Sequence, residues 1–158
     1  MTLDEATSAH RGRPWWLLLL PASFLFHITE EWFAGQGFPA WTAQLGVSGI
    51  PPTRFIVINA IAWPLSAVLM ALGIIAPEFD WFPVAFATMI SVNGVLHAVG
   101  TVVTATYSPG LLTGLLLFLP LGLAALRYCR RSVTPDRFAM AVVAGLLIHL
   151  GVIVIAFS

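Results

Sequence analysis

Five apolar stretches of membrane-spanning length, in a chain with almost no charge, predict an all-α protein: an integral membrane five-helix transmembrane bundle. Hydrophobic residues make up 59% of the 158 positions and charged residues 9%, against about 25% charged in soluble domains. Mean hydropathy is +0.93. A hydrocarbon core is crossed by roughly 20 apolar residues in helical conformation, and the chain is short enough for a single bundle.

Residues 1–13 are polar, with Asp4, Glu5, Arg11 and Arg13, and read as a cytoplasmic tail. Residues 14–158 form one transmembrane domain. The first span is expected over 14–34; its basic flank resembles a signal peptide, but no small-x-small cleavage pattern follows it. From 35 to 53 the chain is spotted with Gly and Pro and suits a loop or short helix at the interface. Trp41, like Trp15, Trp16, Trp32 and Trp81, is expected to anchor at that interface. A second span covers 54–75, with Asn59 and Ser66 polar and Pro64 a kink.

The third span, 81–104, carries Asn93, His97, Thr101 and Thr104 along one helical stripe. After the turn Tyr107-Ser108-Pro109-Gly110, a fourth span over 111–126 has no ionisable side chain and is assigned to packing. A basic turn, 127–137, leads to a fifth span over 138–157 that contains His149. Cys129 is the lone cysteine, so no internal disulfide or thiolate cluster can form. The formal net charge of zero implies no nucleic-acid partner.

Ionisable residues are expensive in hydrocarbon, so His27, Glu30 and Glu31 need a local reason to stand in the first span. At i, i+3 and i+4 they project from one face within a single turn. Trp32 and Phe33 carry the apolar run past them, which argues against carboxylates simply marking the end of the span.

Arginines set the orientation. Arg11, Arg13, Arg127, Arg130, Arg131 and Arg137 fall on one side and Arg54 on the other. The positive-inside rule then places the N-terminus in the cytoplasm and the C-terminus outside, as in a prokaryotic inner membrane. Counting a rise of about 1.5 Å per residue from the inner ends puts His27 at about 20 Å, His97 at about 24 Å and His149 at about 18 Å. Glu30 and Glu31 lie at about 24 to 26 Å, and Asn59 one to two turns below the outer end of its helix. These positions share one layer in the outer half of the membrane.

Three histidines and two glutamates at one depth suit a divalent metal. Zinc in catalytic sites takes three protein ligands and leaves a position for water; two His and one carboxylate also suit ferrous iron. Zinc is the first expectation and iron the second, with His27, Glu31, His97 and His149 as ligands. Glu30 and Glu31 differ by about 100° around the helix and so should divide the labour. Glu31, nearly above His27, is the better ligand; Glu30 is expected to orient a ligand through a hydrogen bond or to act as general base. Asn93 or Asn59 could orient a ligand or polarise a carbonyl, or serve as interhelical hydrogen-bond glue.

The run His27-Ile28-Thr29-Glu30-Glu31, followed by Asn93-Gly94-Val95-Leu96-His97, resembles the HXXEE family of small multi-pass membrane proteins. The resemblance implies a membrane enzyme of unestablished reaction, with His27, Glu30, Glu31, Asn93 and His97 carried over. His149 and Asn59 come from depth alone.

The expected function is metal-dependent hydrolysis of a lipid or other apolar small molecule by a protein partnered with the bilayer. The alternatives are a metal-free acid–base isomerase of a sterol-like substrate, a ferrous oxidoreductase, and a proton or cation pathway. A pathway should string polar residues through both membrane halves, whereas here the inner half is almost bare. Substrate and oligomeric state are not legible.

Overall fold

The computed structural model describes residues 14–46 and 48–158. The polar tail of residues 1–13 lies outside them. Among the described residues there are helices and no strands.

Pro14 precedes a 3-10 turn, Trp15–Leu18, that runs directly into α1, Leu19–Phe33. Pro21 falls in the first turn of α1, where a missing N–H is tolerated. Two short helical turns follow, Phe38–Trp41 and Thr42–Leu45. The long helices are α2, Pro52–Ile75, and α3, Phe82–Thr104, then α4, Leu111–Cys129, and α5, Pro135–Phe157. Proline stands in the opening turn of α2, α3 and α5, where its fixed φ is already helical.

Helices α2 to α5 are each long and apolar enough to cross a membrane. The expected first span is shorter: 15 residues of α-helix after the 3-10 turn. Five spans therefore become four long apolar helices and one shorter helix packed among them. Helix α2 runs through Pro64 without interruption. Its outer face exposes Ile56, Val57, Ile61, Leu65 and Val68. Such a stripe is unfavourable against water and natural against lipid.

The start of α2 meets the end of α5 through Arg54, and the start of α5 meets the turn before α3 through Arg137, so α3 and α5 run parallel. Residues 35–46, 48–51 and 105–110 share one end of the bundle with the end of α5. There Arg54 donates to the carbonyls of Ala156 (3.3 Å) and Ser158 (2.7 Å). At the other end Arg137 reaches Asp80 at 3.3 Å.

Helix α3 is the axis of the bundle, buried continuously from Phe82 to Thr88 and again at Ile90, Ser91, Gly94, His97 and Gly100. Its glycines let neighbouring backbones come close: a Cβ on Gly94 would lie 2.7 Å from the Gly114 carbonyl oxygen. From the α5 side, a Cβ on Gly145 would lie 2.3 Å from the Ala85 carbonyl oxygen. Gly145→Val should therefore push α5 off α3 and destabilise the protein by about 1–3 kcal/mol. A denaturant titration in detergent micelles measures this; an unchanged midpoint would contradict the close packing.

Helix α4 departs from regular geometry near its start. Residues Gly114–Phe118 form a π-helical turn in which the Leu119 N–H reaches back to the Gly114 carbonyl. Pro120, which has no N–H to continue the ladder, follows at once. Single π turns of this kind gather at functional sites. Leu17, Leu20, Met70, Phe82, Phe86 and Phe118 fill the apolar core below it.

Candidate metal centre

The His-x-x-Glu-Glu run lies in the last two turns of α1, so it reaches the bundle end capped by residues 35–46, 48–51 and 105–110. Helical spacing turns His27 and Glu31 inward, where they are 1% and 6% exposed. His97 on α3 is 3% exposed and faces them. One ligand atom from each of these three residues lies within 4.8 Å of the other two. Glu31 Oε1 sits between the two imidazoles, 3.5 Å from His27 Nε2 and 3.3 Å from His97 Nε2. The expected convergence of His27, His97 and the i+4 carboxylate is present, and the group could hold a metal ion.

Apolar walls close around the histidines. His27 stacks on Phe118 with ring centroids 4.2 Å apart, and Phe38 lies 5.1 Å from His97. The two histidine rings meet edge to face at 4.9 Å. Gly110, at φ 102°, presses its backbone against both rings. A Cβ there would lie 2.6 Å from His97 Cε1 and 2.8 Å from His27 Cε1.

The outer nitrogens are held by hydroxyls from one segment. His27 Nδ1 is 2.8 Å from Thr113 Oγ1, and His97 Nδ1 is 2.9 Å from Ser108 Oγ. Glu30 does not join the three-residue group. Its Oε2 accepts from the Thr113 N–H (2.7 Å) and the Thr113 hydroxyl (2.5 Å). Its Oε1 accepts from the Leu112 N–H (2.9 Å) and from the Tyr107 hydroxyl. The carboxylate thus satisfies N–H groups at the start of α4, the helix end where negative charge is favoured. Burial, and then the Glu30 carboxylate beside it, push the Tyr107 hydroxyl up to about 12, so it remains a neutral donor.

Whether the residues suit a cation is decided by protons. A carboxylate only accepts, so the proton between Thr113 Oγ1 and Glu30 Oε2 is the threonine's own. Thr113 Oγ1 must then accept from His27, which puts the imidazole proton on Nδ1. In a neutral ring His27 Nε2 is then a lone pair; it is buried, without a hydrogen-bond partner, 3.5 Å from a carboxylate oxygen. A lone pair aimed at an anion in an apolar wall is unfavourable by itself and becomes favourable with a cation between them. The donor set, two imidazoles and one carboxylate, fits zinc or ferrous iron.

The other expected residues stand apart. His149 is buried on α5 and within electrostatic reach of His97, but it is not among the three converging residues; its Nε2 is buried without a partner. Asn93 Oδ1, one turn before His97, is likewise buried and unpartnered. Asn59 Nδ2 donates to the Phe55 carbonyl of its own helix at 3.0 Å, so its amide makes no interhelical bond there. Trp41 differs from its expected place at the interface: it is 2% exposed, its Nε1 donates to Thr106, and its ring lies against Gly100.

A family model described as a protein of unknown function with HXXEE motif matches residues 18–125. The chain belongs to the HXXEE family. The match includes His27, Glu30, Glu31, Asn93, His97 and the clamp residues Ser108, Gly110 and Thr113; His149 lies beyond its end. No curated protein and no solved structure matches the chain.

Sequence reasoning passed over Ser108, Gly110, Thr113 and Phe118. A Tyr-Ser-Pro-Gly turn and an uncharged span look like connection and packing. The available signal was the position of two hydroxyls just beyond a helix carrying Asn-x-x-x-His, since a ligating histidine needs a partner for its other ring nitrogen.

Proposed function

We propose that this HXXEE protein is a membrane enzyme whose His27, Glu31 and His97 bind a divalent cation, zinc first and ferrous iron second, to hydrolyse a lipid or other apolar substrate. The observation that carries the reading is the buried, unpartnered His27 Nε2 facing Glu31 Oε1 and His97 Nε2. A bound cation would supply Lewis-acid polarisation and a water of lowered pKa. The chain's own residues do the rest: three hold the ion, Phe118 and Phe38 keep the site apolar, and Glu30 orients His27 through Thr113. Of the two roles expected for Glu30, its four donors favour orientation over general base. Asn93 and His149, with buried unpartnered atoms near His97, are the side chains left to meet a substrate's polar group or, for His149, a further ligand position.

Elemental analysis of the purified full-length protein tests the reading. About one zinc or iron per chain is expected, lost from His27→Ala and His97→Ala. Metal-free protein that retains activity would replace this reading with acid–base catalysis by the same His–Glu–His group.

The site is further proposed to lie beneath the outer membrane surface. Arg127, Arg130, Arg131 and Arg137 belong to the bundle end opposite the site, and Arg54 to the site end. A periplasmic-type reporter fused after Ser158 should be active and a cytoplasmic-type reporter silent; the reverse result would turn the site inward.

A further inference from the structure

We infer that the two histidines of the centre have different proton assignments, with His27 locked in the Nδ1–H tautomer by the Thr113–Glu30 pair and His97 switching tautomer when a cation enters. Thr113, Glu30 and Ser108 are thereby positioning residues. The inference rests on the metal reading only for its second half.

The lock on His27 follows from donor counting. Thr113 has one hydroxyl proton, and it lies in the 2.5 Å contact with Glu30 Oε2. The 2.8 Å contact to His27 Nδ1 therefore needs the imidazole's proton. Glu30 is held in turn by two backbone N–H groups at 2.7 and 2.9 Å and by Tyr107. Rotating Thr113 away would leave a carboxylate oxygen short of a donor in a half-buried place. Three elements resist the change together: the last turns of α1, the loop 105–110 and the start of α4.

His97 has no such lock. Among the described residues, the Ser108 hydroxyl has His97 Nδ1 as its hydrogen-bond partner and can donate to that nitrogen or accept from it. With His27 neutral and its proton on Nδ1, the contact between Glu31 Oε1 and His97 Nε2 at 3.3 Å is the one that can carry a hydrogen bond to this carboxylate oxygen. The metal-free state therefore has His97 protonated on Nε2, with Ser108 donating to Nδ1. A cation needs the Nε2 lone pair. The proton moves from Nε2 to Nδ1, and the Ser108 hydroxyl turns from donor to acceptor. One proton leaves one nitrogen and one arrives at the other, so a neutral His97 takes the ion with no net proton release. The centre is half preorganised and half adaptable.

Histidine-selective ¹⁵N labelling of the full-length protein in micelles reads tautomers directly. Before metal addition, His27 is expected to show Nδ1–H and His97 Nε2–H. Zinc should move His97 to Nδ1–H and leave His27 unchanged. Thr113→Val should release His27 to donate from Nε2 toward Glu31 and weaken zinc binding by about 10- to 100-fold. Thr113→Ser, which keeps the hydroxyl, should restore both, as a merely structural effect of the lost methyl would not. Glu30→Gln should mix the His27 tautomers, because its amide offers a donor where Thr113 needs an acceptor.

His27 found as Nε2–H in the metal-free wild type overturns the lock. An unchanged His27 signal in Thr113→Val does the same. His97 already Nδ1–H before zinc removes the switch. A locked His27 in a protein that takes up no zinc supports the orienting pair and sinks the metal reading instead.

Discussion

Glu31→Gln is expected to strip the metal and yet leave the metal-free protein more stable, by about 1–2 kcal/mol. The metal-free centre holds a buried carboxylate between two imidazoles, one of which offers it a lone pair. A glutamine of the same shape removes the buried charge. The one atom that replaces Oε1 serves one imidazole only, as an oxygen accepting from His97 Nε2–H or as an amide N–H donating to His27 Nε2. A neutral group in place of an uncompensated buried charge is often stabilising by this order. Metal affinity should fall at least about 100-fold, since even groups that only orient ligands are worth 10- to 100-fold. Metal content and thermal unfolding of chelated protein, run in parallel, decide the matter. A carboxylate that serves as the anion of a structural ion pair would give the opposite stability result: Glu31→Gln would destabilise the metal-free protein. The sign of that shift separates a site strained for a ligand from a salt bridge that holds helices together.

Gly110→Ala should disable the centre with a single methyl. The residue sits at φ 102°, where a Cβ costs about 1–2 kcal/mol in backbone energy alone. That Cβ would also lie 2.6 Å from His97 Cε1, 2.8 Å from His27 Cε1 and 2.9 Å from His97 Nδ1. Rings packed on Phe118 and Phe38 have little room to retreat. Both histidines must rotate, or segment 105–110 must lift and take Ser108 from His97 and Tyr107 from Glu30. Either way the three ligand atoms separate, and metal binding and activity should fall to background. Unfolding by chemical denaturant should show a loss of about 2–4 kcal/mol. Gly46→Ala, also at positive φ but with nothing within 4 Å of its Cβ, is the matched control for backbone strain. Equal losses in the two variants would mean that contact with the histidines is not what Gly110 provides.

The helical, membrane-embedded character of the chain was legible because it depends on local composition. Spans expected over 54–75, 81–104, 111–126 and 138–157 appear as α2 to α5 with ends shifted by a few residues. The turns between them carry the Pro and Gly that break helices. The pairing of His27 with Glu31 was legible for the same reason, since i and i+4 share a face on any α-helix. Meeting His97 was an expectation drawn from depth, and depth follows from counting residues along helices that start at known ends.

Rotation and side-chain partnering were not legible, because they are set by how the other four helices pack around α3. Sequence periodicity could not say that Asn59 would bond within its own helix, or that His149 would stop short of the three-residue group. It could not say that Trp41 would be a buried plug. Helical phase set Glu31 apart from Glu30 but could not say what Glu30 would hold; in the fold, Glu31 faces two imidazoles and Glu30 caps α4. That difference rests on a π turn, a left-handed glycine and a close Gly94–Gly114 contact that bring the start of α4 within reach of α1. The sequence by itself determined which residues lie in hydrocarbon and which share a helical face, because both follow from the chain's own period. Only the tertiary structure decided which polar atom meets which, because hydrogen bonds and ligand sets depend on distances of a few ångströms between elements far apart in the chain.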